Sequence, residues 1–279
     1  MGVYYNEHDP KAAAWIRALI EAGHLPGGFV DERSIEDVPP AELERFSQHH
    51  FFAGIAGWAY ALRLAQWPAH VPVWTGSCPC QPFSQAGVSD GTTDDRHLWP
   101  AFRWLVAQCK PAIIFGEQVA SKAGRDWLSG VRSDLEAMEY AVGSADLCAA
   151  SVGAPHIRQR LWFVAHTSIF RLSLQPRDRD KIVKGAGTEV YIDGSGNGEH
   201  PAATGVSTDP RGNNPWDSSC SKWITCTDTW NRQIPTEPAF YPLAHGFPLR
   251  VDLLRCIGNA IVPQLASQFI QASIEAILP

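Results

Sequence analysis

No run of about 18 apolar residues occurs in the chain, so no membrane-spanning helix is expected. No basic-then-apolar stretch opens it either, and the expectation is a cytoplasmic protein of a bacterial cell. Cysteine is sparse. The seven residues are an odd number without regular spacing, which fits a reducing compartment better than a disulfide framework. Cys78 and Cys80 lie close together, but no second Cys/His pair matches them, so no metal site is expected. Positive charge is also short: 23 Lys and Arg stand against 29 Asp and Glu, a net charge of −6. A uniformly basic nucleic-acid binder is thereby excluded, whereas a local basic patch is not. Internal repeats are absent.

What is present is a hydrophobic fraction of 45% and one unusual stretch, Gly76-Ser77-Cys78-Pro79-Cys80-Gln81-Pro82-Phe83-Ser84. It follows a short β-type run, Val71 to Thr75. Pro79 and Pro82 stiffen the backbone on either side of Cys80. A cysteine held rigidly after a strand is placed to act as a nucleophile. The alternative is a structural cysteine buried in a proline-rich turn.

In chain order, Val3 to Glu7 reads as a strand ending in an acid. Asp9 and Pro10 suit the start of a helix over Lys11 to Ala22, with Trp15, Ile16, Leu19 and Ile20 on one face. A second strand is expected near Phe29 to Ile35, and Pro39-Pro40 opens a short polar helix. His50 to Trp58 reads as a strand entering a glycine turn, followed by a helix over Ala59 to Ala65. Glycines in such a turn let backbone approach a ligand at a helix N-terminus. Gly87 to Arg96 lacks periodicity and reads as a mobile loop. Helical spacing returns over Leu98 to Cys109. Pro111 to Glu117 reads as a buried strand delivering a glutamate. A helix follows over Arg125 to Tyr140. Ala154 to Arg160 then leads into a strand, Leu161 to Ala165.

Strands alternating with helices indicate an α/β fold with a mostly parallel sheet. Ligands in such folds lie beyond the carboxyl ends of the strands, where Glu7, the glycine turn, Cys80 and Glu117 all fall. From Thr167 the composition shifts to Gly, Ser, Thr, Asp and Asn. Residues 167–251 are therefore expected to form a small loop-rich second domain, or else a partly disordered insertion. Residues 1–166 and 252–279 are expected to form the main domain, closed by a helix over Gln264 to Ile277 that packs back on it.

Pro79-Cys80-Gln81-Pro82-Phe83-Ser84 resembles the nucleophile loop of DNA cytosine-5 methyltransferases. Further segments resemble other motifs of that family. Phe52-Ala53-Gly54-Ile55-Ala56-Gly57 is similar to its cofactor loop, with Ala56 where glycine is usual. Phe115-Gly116-Glu117-Gln118-Val119 is similar to its Glu-Asn-Val motif, with Gln118 for asparagine. His156-Ile157-Arg158-Gln159-Arg160 is similar to Gln-x-Arg-x-Arg, and Gly258-Asn259-Ala260-Ile261 to its closing motif. Arg232 and Glu237 offer a weak copy of the penultimate one.

The resemblance implies a Rossmann-like sheet that binds S-adenosylmethionine, and a target-recognition domain that reads double-stranded DNA. It implies catalytic roles for Cys80, Glu117, Arg158 and Arg160. Cysteine adds to carbon 6 of a flipped-out cytosine, glutamate acts at ring nitrogen 3, and the arginines hold the base. Cofactor contacts are implied for Phe52, Gly54, Ile55, Gly57, Glu7, Ser34, Ile35, Pro79, Leu98, Asn259 and Ala260. A monomer suffices for this chemistry.

The family normally places the ribose-binding and adenine-contacting strands after the glycine loop. Here only a short helix separates that loop from the Cys80 strand. A permuted order is therefore expected, in which strands two and three precede strand one, with Glu7 as the ribose acid and Ser34-Ile35 at the adenine edge. Such compact chains resemble those of bacteriophages and prophages and of restriction-modification systems. Three other functions are compatible with parts of the pattern: methylation of RNA cytosine, a catalytically weakened DNA-binding module, and a nicotinamide-dependent oxidoreductase.

Overall fold

The computed structural model describes residues 2–79, 98–154, 156–184, 223–225, 233–235 and 260–278. Cys80, Asn259, the 87–96 loop and most of residues 167–251 lie outside that set.

Seven strands form one sheet: β1 (Gly2–Asn6), β2 (Gly28–Asp31), β3 (Phe46–Phe51), β4 (Val73–Gly76), β5 (Ile113–Val119), β6 (Ala141–Cys148) and β7 (Gln159–His166). Their spatial order is β2-β1-β3-β4-β5-β7-β6. The first five pair in parallel, while β7 runs antiparallel to both β5 and β6. This is the mostly parallel α/β sheet that the alternation of elements predicts. The strand of the glycine turn, β3, lies between β1 and β4. Those are the neighbours expected if the acid-bearing and adenine-edge strands come first in the chain.

The helices are α1 (Pro10–Glu21), α2 (Pro40–Leu43), α3 (Gly57–Leu64), α4 (Trp99–Cys109), α5 (Lys122–Ala137), α6 (Ser168–Ser173), α7 (Pro176–Lys184) and α8 (Pro263–Ile277). A separate two-stranded antiparallel pair joins β8 (Trp223–Thr225) to β9 (Gln233–Pro235). Local chemistry sets several boundaries. The Asp9 carboxylate accepts from the amides of Lys11 and Ala12, and Pro10 fills the first turn, where no amide hydrogen is needed. Strand β2 stops at Asp31, short of the expected Ile35. The Asp31 carboxylate accepts from the Arg33 amide at 3.0 Å, turning the chain.

Alternate strand residues serve opposite layers. Ile113 and Phe115 of β5 and Trp162 and Val164 of β7 enter a cluster with α3 and α8. Ile114, Leu161, Phe163 and Ala165 enter a second cluster with α4 and α5. Helix α8 packs on α3 as expected of the closing helix. Gly57 makes this possible, because a Cβ there would sit 2.7 Å from Ile261 Cγ1. Gly116 is likewise enclosed, with Phe163 ring carbons 2.2 Å from any added Cβ.

Three local features differ from what the sequence pattern suggests. Trp15 is 45% exposed instead of sharing the buried face of α1 with Ile16. Ala141–Cys148 forms β6, which the sequence pattern did not suggest. Ser168–Ser173 and Pro176–Lys184, in a stretch expected to be loop-rich, are helical, and Phe170, Leu174 and Ile182 join the cluster of α3 and α8.

Strand β3 also buries two adjacent histidines that no site uses. His49 Nε2 donates to the Leu43 carbonyl at 2.9 Å, and His50 Nδ1 meets Thr75 Oγ1 at 2.8 Å. Their other ring nitrogens have no partner among the described residues. Burial drives His49 down to about 4 and His50 to about 3, from an ordinary 6.5. The folded values lie below the unfolded ones. Stability is therefore complete above pH 6.5 and falls as the pH drops, because the unfolded chain takes up protons that the native one refuses. His49→Gln keeps a donor for Leu43 and cannot titrate. Between about pH 6.5 and 4 it should lose roughly 3 kcal/mol less stability than the wild type, read from urea unfolding at successive pH values.

Candidate active site

The candidate site residues gather at the carboxyl ends of β1 to β5. Glu7 follows β1 directly. Its Oε2 accepts from the Gly54 amide at 2.6 Å and its Oε1 from the Asp9 amide at 2.9 Å. Burial raises its pKa, while these two hydrogen bonds oppose the rise. The turn after β3 is wound by positive φ angles at Phe52 (51°), Gly54 (57°) and Ala56 (60°). For non-glycine residues this conformation costs roughly 1–2 kcal/mol each, and such strain clusters at ligand sites. Ala56 bears it while its methyl is buried with Val3, Tyr5 and Ala59. Glu7, Phe52, Gly54, Ile55 and Gly57 are thus gathered at one place.

The adenine-edge candidates divide. Ser34 is tied into a 3-10 turn by accepting from the Glu36 amide. The Ile35 side chain is buried in the cluster of α4, which leaves only its backbone for a ligand. Beside them Asp31 accepts from Tyr4 Oη at 2.8 Å and pairs with Arg33, which also reaches Glu42 at 2.6 Å. Leu98 stands at the start of α4, and Pro79 is exposed beyond β4.

On the other side of the sheet centre, Glu117 lies near the end of β5 and is 7% exposed. Arg160 Nε pairs with its Oε1 at 2.8 Å. Burial pushes the Glu117 carboxyl up. The charges of Arg160 and Arg158 and the nearby Ser77 hydroxyl pull against it. Arg158 adopts φ 37° and donates from Nη2 to the Ala260 carbonyl, so it is tied to the segment entering α8. Its own pKa is lowered, first by burial and then by Arg160. His156, at the motif's glutamine place, is exposed. Glu117, Arg158 and Arg160 are therefore brought together. Cys80 and Asn259 lie outside the described residues.

The loop that leads to Cys80 is anchored at its root. Gln118 Nε2 donates to the Cys78 carbonyl at 3.1 Å, and its Oε1 accepts from the Val119 amide at 2.8 Å. Trp58 Nε1 donates to Ser77 Oγ at 3.1 Å. Sequence reasoning noted Gln118 only as a departure and passed over Trp58 and Ser77. The sole available signal was the position of Ser77 inside the cysteine-rich stretch.

Arg160→Ala would strand a buried carboxylate. A loss of about 3 kcal/mol is expected near pH 8. Glu117 already has a raised folded pKa, and removing Arg160 raises it further. The deficit should therefore shrink in acid, where the carboxyl is neutral, and grow as the pH rises through the folded pKa. Urea unfolding at pH 5 and pH 8 checks both parts.

Among the described residues no helix is long and apolar enough to cross a membrane, and no cluster of His, Cys, Asp and Glu could hold a metal ion. Comparison with known proteins finds the C-5 cytosine-specific DNA methylase family model matched by residues 60–189. A type II methyltransferase of Arthrospira platensis, M.AplI, is 34% identical over 99 residues, covering 35% of this chain and 29% of that protein. M.SsoII of Shigella sonnei, also a type II methyltransferase, is 27% identical over 145 residues, 49% of this chain and 38% of the other. The chain spans between 29% and 45% of the length of the curated relatives it matches.

Among solved structures, a DNA modification methyltransferase described as putative, encoded within an Escherichia coli prophage, aligns with TM-score 0.38 and 16% identity. That alignment covers 63% of this chain and 50% of the other. A DNMT2 variant of Spodoptera frugiperda aligns with TM-score 0.39 and 14% identity, covering 60% and 50%. The matched segment holds the Cys80 loop, Glu117, Arg158 and Arg160, and it is over this segment that the chain is similar to the C-5 cytosine-specific DNA methylase family.

Proposed function

We propose that this protein transfers a methyl group from S-adenosylmethionine to carbon 5 of a cytosine flipped out of double-stranded DNA, through a covalent bond to Cys80. The observation that carries this reading is Glu117. It is a buried carboxyl with a raised pKa, paired with Arg160, on the strand next to the one that leads into the Cys80 loop.

The cofactor side fits the group. Each Glu7 oxygen has an acceptor site beyond its single backbone amide, which suits a ribose diol. The glycine turn lies against that carboxylate, and Phe52, Gly54, Ile55 and Gly57 would line the methionine side. Bound there, S-adenosylmethionine supplies an electrophilic methyl group.

The chain's own residues prepare the base. The Cys80 thiolate forms a bond to carbon 6, and the electrons of the 5,6 double bond make carbon 5 nucleophilic. Glu117, protonated or hydrogen-bonding at ring nitrogen 3, relieves the charge that builds there. Arg160 holds Glu117 in place, and Arg158 and Arg160 supply donors for the base oxygen. Once carbon 5 carries the methyl group, its proton leaves to water and the thiolate is expelled. None of this geometry is reachable inside a stacked duplex, so the base is extruded. Residues 167–251 supply the sequence-reading unit, with its α6–α7 part fixed on the catalytic core.

Expression in a bacterial host without cytosine methylation, followed by mass spectrometry of nucleosides, tests the reading. 5-Methylcytosine should appear in DNA. A product confined to RNA would move the substrate. Soluble protein without any product would refute the proposal.

A further inference from the structure

We infer that Ser77 is a positioning residue that aims its hydroxyl hydrogen at Glu117, and that the Trp58 indole fixes that direction. The inference rests on the proposed function, because it assigns Ser77 a task toward the base-binding carboxyl.

The geometry is specific. Trp58 Nε1 lies 3.1 Å from Ser77 Oγ. An indole N–H can only donate, so the Ser77 oxygen must accept, and its single hydroxyl hydrogen remains for another acceptor. The parallel register of β4 and β5 pairs Gly76 with Gly116, which sets Ser77 beside Glu117 one residue further on. Side chains alternate along a strand. Glu117 therefore shares the face of Ile113 and Phe115, and Ser77 that of Val73, on the layer where Trp58 packs. The Trp58 ring stacks on Phe115 at 6.2 Å between centroids, which holds the indole still.

Glu117 is pulled in two directions. Burial favours the neutral acid, while a hydrogen donated by the Ser77 hydroxyl would favour the carboxylate. The charged groups acting from the β7 side, Arg160 and Arg158, add to the second effect. Ser77 is the uncharged part of that balance. Trp58 is the second residue of α3, directly after the glycine turn. The line Trp58–Ser77–Glu117 thus joins the helix of the cofactor side to the carboxyl of the base side.

The test labels glutamate side-chain carboxyls with carbon-13 and follows Glu117 by NMR titration, assigned with Glu117→Gln. Ser77→Ala should raise the Glu117 midpoint by about one pH unit. Ser77→Thr, which keeps the hydroxyl, should stay near the wild type. Trp58→Phe should raise the midpoint by less than Ser77→Ala, because the hydroxyl persists but is free to turn. A Ser77→Ala midpoint within about 0.3 unit of the wild type overturns the inference, as does a Ser77→Thr shift as large as that of Ser77→Ala.

Single-turnover methyl transfer against pH is measured alongside and should shift with the titrations. Midpoints that move as stated, with no transfer by the wild type at any pH, would overturn the proposed function and leave the Ser77–Glu117 relation standing. Unmoved midpoints with normal transfer would do the reverse.

Discussion

Cys80→Ala should abolish methyl transfer, by at least about 10,000-fold in a single turnover, while the fold and cofactor binding persist. Carbon 5 of cytosine is a poor nucleophile until a group adds at carbon 6, and the variant has nothing to add. The root of the Cys80 loop is held from outside it, by Gln118 on the Cys78 carbonyl and by Trp58 on the Ser77 hydroxyl. Loss of one thiol beyond that root leaves those contacts intact. Thermal unfolding with and without S-adenosylmethionine should therefore match the wild type, and only the chemical step should vanish. A variant that retained a tenth of the activity would rule out covalent catalysis by this residue.

Glu117→Gln should slow the same step by roughly 100- to 10,000-fold. The amide keeps the shape of the side chain and can still donate a hydrogen bond, but it cannot deliver a proton. It also leaves the Arg160 guanidinium without its counter-charge. The loss should fall on the rate of transfer more than on DNA affinity, because proton donation matters only as charge develops on the ring. Rapid-quench kinetics at saturating DNA separates the two. Equal losses in affinity and rate would assign Glu117 to binding alone.

Much of this site was legible because its parts sit where punctuation is strong. The buried run into Glu117, the glycine turn after β3 and the prolines around Cys80 each mark the end of a strand, and ligands gather at such ends. The order of the strands was legible too, since one short helix between β3 and β4 leaves no room for two more strands. What escaped was fixed by contacts between distant segments. Nothing local says that Ser77 stands beside Glu117, because the register of β4 on β5 decides it. Nothing local ties Arg158 to Ala260. Strand β6 escaped for a different reason: at the sheet edge it alternates small, polar and half-exposed residues, and no apolar period survives. Helices α6 and α7 are short, and their few buried residues sit in a polar stretch whose composition suggests loops.

The contact of Gly57 with Ile261 has a consequence for biosynthesis. Strands β1 to β4 leave the ribosome early and can pair at once. The turn that would grip the cofactor has no outer wall until α8 follows. Through that interval Trp58, Ala61 and Leu62 of α3, joined later by Phe115 and Trp162, present an uncovered apolar surface. Nascent chains with such surfaces are clients for chaperones. Translation order thus makes α8 the latch of the half that carries the glycine turn, although every residue it latches was synthesised long before it.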